Sequence, residues 1–220
     1  MLLTHFQKLL IRILFISLLL FFHQTAKADV ETSSTPSQCL SLLLEGNDHF
    51  VKGEMQHLPN IAEAKDRLLE SQSLMAVVVS CSDSRVVPNL IFDRTFGELF
   101  AIRIVGNVIG PIELNSVEFG VDKLKAPLVM VLGHQNCGAI KTYLSKPKGE
   151  SNFILSLIDQ ALKNCKKPNI LDNAIRCNVK YGVETLKKSP TIAKLIEQGK
   201  VKIVGAYFDF DTSKVSLITD

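Results

Sequence analysis

Two apolar runs constrain this chain more than anything else in it: Met75-Ala76-Val77-Val78-Val79-Ser80 and Pro127-Leu128-Val129-Met130-Val131-Leu132. Neither alternates with polar residues, so each suits a strand covered on both faces, as in a parallel sheet flanked by helices. Residues 98–105 and 201–208 read as two further strands, and 112–121 as a crossover helix between strands. Helical patterns follow at 139–144, 153–164, 171–188 and 191–198, and 214–218 fits a short antiparallel edge. Ahead of the first strand, 38–51 and 61–71 have helical spacing. The expected fold class is α/β: a mostly parallel four-stranded sheet with flanking helices and a short antiparallel edge strand, forming one domain over 38–220.

The first 28 residues stand apart. Lys8 and Arg12 lead into an apolar stretch, 13–22, and Ala26-Lys27-Ala28 follows. A basic start, a short apolar run and an A-x-A-like site read as a secretory signal peptide cleaved after Ala28, with an uncleaved N-terminal anchor as the alternative. In a bacterium that places the folded part in the periplasm, with no stable membrane span left after cleavage. Residues 29–37 read as a flexible polar lead. The full chain has 25 basic and 22 acidic residues, and removing Lys8, Arg12 and Lys27 makes the two counts equal. A nucleic-acid partner or a polyanionic substrate is therefore not indicated.

Chemistry-bearing residues gather where the strand-like runs end. Cys81-Ser82-Asp83-Ser84-Arg85 follows the first run, and Gly133-His134-Gln135-Asn136-Cys137-Gly138 follows the second. Cys81, His134 and Cys137 offer two thiolates and one imidazole, a set that zinc accepts with a fourth position free. His-x-x-Cys is not the Cys-x-x-Cys of thiol exchange. Asp83 can orient water on the metal or become its fourth ligand, and Arg85 can hold Asp83 off through a bidentate pair. Of the other cysteines, Cys39, Cys165 and Cys177, the last two flank a short Pro-containing connection. They fit a disulfide or two separate thiols, the latter preferred. His49 and His57 lie outside the motifs and read as ordinary surface histidines.

The two motifs, Cys-Ser-Asp-Ser-Arg-Val at 81–86 and Gly-His-x-x-Cys-Gly at 133–138, resemble those of the β-class carbonic anhydrases. The segment 92–110, with Gly97-Glu98-Leu99-Phe100 and Arg103-Ile104-Val105-Gly106-Asn107, fits the same pattern. The resemblance covers about residues 40 to 218. It implies reversible hydration of CO2 to bicarbonate and a proton by zinc-bound hydroxide, with one Zn2+ per subunit on Cys81, His134 and Cys137. It assigns Asp83 and Arg85 to orienting that hydroxide. Gln72 and the Gly138 N–H become donors to substrate oxygen, and Phe100 and Val105 an apolar wall for CO2. It further implies a homodimer or higher homo-oligomer, and in some members a closed state with Asp83 on zinc. Phe119 stands where the family often has tyrosine, which removes a hydroxyl. Rival readings are hydrolysis of carbonyl sulfide or carbon disulfide on the same fold, or a non-catalytic periplasmic zinc-binding protein.

Overall fold

The computed structural model describes residues 34–57, 65, 69, 72–145 and 152–218. The expected signal peptide and most of the 61–71 helix lie outside the described residues. Among the described residues no helix is long and apolar enough to cross a membrane.

Helix α1 (Pro36–Lys52) starts at Thr35, whose hydroxyl accepts the Gln38 N–H while the Gln38 side chain accepts the Thr35 N–H. This reciprocal cap fixes the helix start, and Gly53 ends it in the left-handed region. The chain continues as β1 (Ala76–Ser80), α2 (Pro88–Ile91), β2 (Leu99–Arg103), a 3-10 turn at Val105–Asn107, and α3 (Pro111–Glu118), which runs on into a π-turn over Phe119–Lys123. Then come β3 (Leu128–His134), α4 (Gly138–Ser145), α5 (Phe153–Leu162), α6 (Leu171–Lys187), α7 (Pro190–Glu197), β4 (Lys202–Phe208) and β5 (Val215–Leu217).

The sheet order is β2-β1-β3-β4-β5, with four parallel strands and β5 antiparallel at the edge. Every residue of β1 and β3 is buried, as their unbroken apolar runs require. Alternate side chains divide between two faces. Val77, Val79, Val129 and Val131 pack with Val179, Val183 and Leu186 of α6. Val78, Met130 and Leu132 pack with Leu40 and Leu43 of α1 and with Ile91 and Phe92. Gly46 lets α1 come this close, since a Cβ there would lie 1.9 Å from the Phe92 carbonyl oxygen.

Two sequence expectations are corrected. Cys165 and Cys177 are not separate thiols but a disulfide that ties the start of the α5–α6 connection to α6. Closing a loop of this length removes freedom from the unfolded chain worth about 3 kcal/mol. His49 and His57 are not idle surface residues either. Their Nδ1 atoms lie 3.1 and 3.3 Å from Oδ2 of Asp93, which is fully buried. Asp93 also accepts the Gln56 and His57 backbone N–H groups, both at 2.9 Å.

Burial pushes the Asp93 carboxyl up, but those N–H donors and the two imidazoles outweigh it and bring it down to about 2. A depressed folded-state pKa gives stability that is present above the ordinary value of 3.8 and is lost as pH falls through about 2. The expected loss is about 2 kcal/mol. Urea midpoints measured across that window should fall more steeply for the wild type than for Asp93→Asn. Parallel profiles would contradict this assignment.

Candidate metal centre

The sheet reverses its direction of growth at β1: β2 is laid on one side and β3 on the other. Ligand crevices in open α/β sheets form outside the strand C-termini at such a reversal. Cys81 is the first residue after β1, and His134 is the last of β3. Because β1 and β3 are hydrogen-bonded neighbours in parallel, both residues arrive at the same end of the sheet. Cys137 comes three residues later, after a tight turn in which Asn136 takes a φ of 58°.

The three ligand atoms lie within 4.8 Å of one another. All three residues are buried, His134 completely. Nδ1 of His134 lies 2.9 Å from the Gln135 carbonyl oxygen. That contact requires the proton on Nδ1 and leaves Nε2 as a bare lone pair. Among the described residues Nε2 is buried and makes no well-formed hydrogen bond, an expensive condition unless an electron-pair acceptor occupies the space it faces.

The sulfurs are prepared for the same role. Cys81 Sγ accepts the Gly106 N–H at 3.3 Å. Gly106 takes a φ of 70°, open to glycine at little cost, and its carbonyl is held by Asn178 Nδ2 of α6 at 2.8 Å. Cys137 immediately precedes α4, where the Ala139 and Ile140 N–H groups point at its sulfur. Hydrogen bonding with Cys137 draws the Cys81 thiol down to about 4. The same contact, together with burial, pushes Cys137 up. A divalent cation bound by both sulfurs would displace any proton left on them. Two sulfurs and one imidazole nitrogen match the protein ligand set of a catalytic zinc site.

Asp83 and Arg85 stand at the rim. Arg85 Nε donates to Asp83 Oδ1 at 3.0 Å and Nη2 to Oδ2 at 2.8 Å, and the Arg85 backbone N–H adds a third bond at 3.0 Å. The fork holds the Asp83 carboxyl far below the usual carboxylate range. Asp83 is therefore ionised at neutral pH, and it lies outside the three-atom ligand cluster. Arg103 of β2 fixes the loop by donating to the Asp83 carbonyl at 2.8 Å. The Arg85 guanidinium carbon sits 4.2 Å from the centroid of the Phe210 ring.

Of the expected substrate-side residues, Gly138 opens α4 with its N–H free of helical bonding. Val105 adjoins Gly106 and is exposed. Gln72 and Phe100 do not come to this cluster in the same chain. Phe100 pairs with Val77, four residues before Cys81, or about 13 Å along a strand. Gln72 precedes β1 at that same distant end. Phe100 instead lines a groove of about 320 Å³ with Ile112, Asn115, Ser116 and Phe119.

A family model described as carbonic anhydrase matches residues 76–215. A carbonic anhydrase of Mycolicibacterium smegmatis is 33% identical over 194 residues, which cover 84% of this chain and 94% of that protein. A Coccomyxa β-carbonic anhydrase, solved in complex with acetazolamide, superposes with a TM-score of 0.64 at 25% identity, covering 82% and 86% of the two chains. The chain belongs to the β-class carbonic anhydrases. Two tetrameric β-carbonic anhydrases of Sordaria macrospora share the fold, with a TM-score of 0.64 at 20% identity and coverage of 82% and 97%. As a carbonic anhydrase the chain is an enzyme of CO2 hydration, and its Cys81–His134–Cys137 cluster can hold the metal on which that family depends.

Sequence reasoning missed Phe210, Asn178 and the tether on Gln135. Phe210 and Asn178 act across long sequence separations, and the Gln135 carbonyl is a backbone group; none carries a local signature.

Proposed function

We propose that this carbonic anhydrase interconverts CO2 and bicarbonate using a zinc ion held by Cys81, His134 and Cys137, with Asp83 and Arg85 aiming the attacking water. The observation that carries the reading is the buried His134 Nε2, without a well-formed hydrogen bond among the described residues, beside two sulfurs at the foot of a bidentate Asp83–Arg85 pair.

Zinc bound in this ligand set supplies Lewis acidity, which makes water at the open position nucleophilic at neutral pH. The chain's own residues do the rest. Asp83 is ionised and acceptor-only, so it takes a proton's hydrogen bond and turns the oxygen lone pair towards the substrate. Arg85 occupies both carboxylate oxygens and so keeps Asp83 from becoming a ligand itself. The exposed Gly138 N–H, at the positive end of α4, stabilises negative charge on the bicarbonate oxygens.

The Phe100 part of the apolar wall and the second donor, Gln72, come from a second copy of the chain. Support lies in where Gln72 and Phe100 sit, at the end of the sheet away from their own chain's Cys81. Around them β2 is the edge strand among the described residues, and Ile112 and Phe119 are exposed. A homodimer that joins these faces would bring one copy's Gln72 and Phe100 towards the other's metal. Sedimentation of the purified chain should show a dimer or larger assembly, and a monomer with full activity would overturn this part.

Export to the periplasm is supported by the N-terminal signal pattern and by the Cys165–Cys177 disulfide, a bond that persists in oxidising compartments. Asp83→Ala should keep stoichiometric zinc while stopped-flow CO2 hydration falls by about 10²-fold or more. Wild-type activity in that variant would remove Asp83 from the mechanism.

A further inference from the structure

We infer that Phe210 is a positioning residue for the Asp83–Arg85 pair, acting from the turn between β4 and β5. The inference deepens the proposed function and rests on Arg85 having the role given there.

The ring touches both halves of the site. Its centroid lies 4.2 Å from the Arg85 guanidinium carbon and 5.3 Å from the centroid of His134. Arg85 is otherwise poorly restrained, because its side chain is 58% exposed. Asp83 grips the guanidinium along its edge, and Phe210 supports its face. A planar cation held in both ways loses less freedom when it forms its two hydrogen bonds than one held only at the edge. With the face unsupported, Arg85 has more ways to leave, and Asp83 is then freed from its fork.

Phe210 is itself fixed. Its backbone N–H donates to Gln135 Oε1 at 2.9 Å, and Gln135 Nε2 donates to Asp211 Oδ2 at 2.8 Å. The Gln135 N–H reaches the Phe208 carbonyl at 2.9 Å. Gln135 is also the residue whose carbonyl engages His134 Nδ1. One residue therefore links the turn to the ligand ring. Phe208 packs edge-on against Phe210 with centroids 5.5 Å apart. From the other side Asn47 of α1 holds the turn by accepting the Val215 N–H at 2.7 Å and donating to the Ser213 carbonyl at 3.2 Å. The turn is thus a rigid mount, and the one aromatic side chain it carries points at the dyad and the imidazole.

The test compares full-length wild type with Phe210→Leu, Phe210→Tyr, Arg85→Ala and the Phe210→Leu/Arg85→Ala double variant. Zinc content, kcat and KM for CO2 hydration are measured, together with solvent exchange of the Arg85 Nε–H by NMR on the metal-free chain. Phe210→Leu should speed that exchange and lower kcat by about 2- to 5-fold, the scale of an exposed cation–π contact, with zinc content and KM unchanged. Phe210→Tyr, which keeps the ring, should restore both. In the Arg85→Ala background Phe210→Leu should cost nothing more, since its effect runs through the missing guanidinium.

Unchanged exchange in Phe210→Leu, equal losses in Leu and Tyr variants, or full additivity with Arg85→Ala would each overturn the inference. Should Phe210→Leu lack a cooperative urea transition, Phe210→Met takes its place in the same comparison. Expected exchange behaviour in a chain that hydrates no CO2 would support the positioning role and overturn the proposed reaction, so the two failures are distinguishable.

Discussion

Everything in this molecule answers to one constraint: two sulfurs and an imidazole nitrogen must meet in a buried space without repelling or orphaning one another. A bare Nε2 in that space costs free energy, as does an unpaired thiolate. The fold meets the constraint by taking each group from a different rigid source. Cys81 leaves β1, His134 ends β3, and Cys137 precedes α4. The Gly106, Ala139 and Ile140 N–H groups meet the two sulfurs, and the Gln135 carbonyl sets the tautomer of the ring. What remains is one direction from which a metal can receive all three lone pairs.

Those three positions follow from the sheet. Strands β1 and β3 are the two central strands with no exposed residue, and their hydrogen-bonded register brings Ser80 opposite Leu132. A slip of one residue would turn the alternating valines to the wrong helical layer. The register that packs the core therefore also aligns the ligands. The β4–β5 edge adds a further layer: its turn carries Phe210 beneath Arg85 and beside His134. A hairpin that also supplies Ala206, Tyr207 and Phe208 to the core thus reaches the rim of the site.

Local pattern made part of this legible and left part hidden. The unbroken runs in β1 and β3, the crossover helix α3 and the helices after Cys137 all express themselves within windows of 5 to 17 residues. The ligand trio was readable because thiolates and imidazole at strand ends have few structural uses. Strand order was not, since nothing local states which neighbour β1 will choose. The Cys165–Cys177 bond depends on a Cα separation of 5.8 Å that spacing alone cannot supply. His49 and His57 read as surface residues because their partner, Asp93, lies more than 30 residues away and is buried by the fold itself. Gln72 and Phe100 could be matched to a family pattern, yet the single chain places them away from its own metal ligands.

The account rests on the Cys81–His134–Cys137 cluster binding a metal through those three atoms. X-ray absorption at the zinc edge of the purified, zinc-loaded chain measures this directly. It should show two sulfur neighbours at about 2.3 Å and one nitrogen at about 2.0–2.1 Å, with the fourth position taken by a light atom. A chain that takes up no zinc, or one whose zinc has only oxygen and nitrogen neighbours, would contradict it.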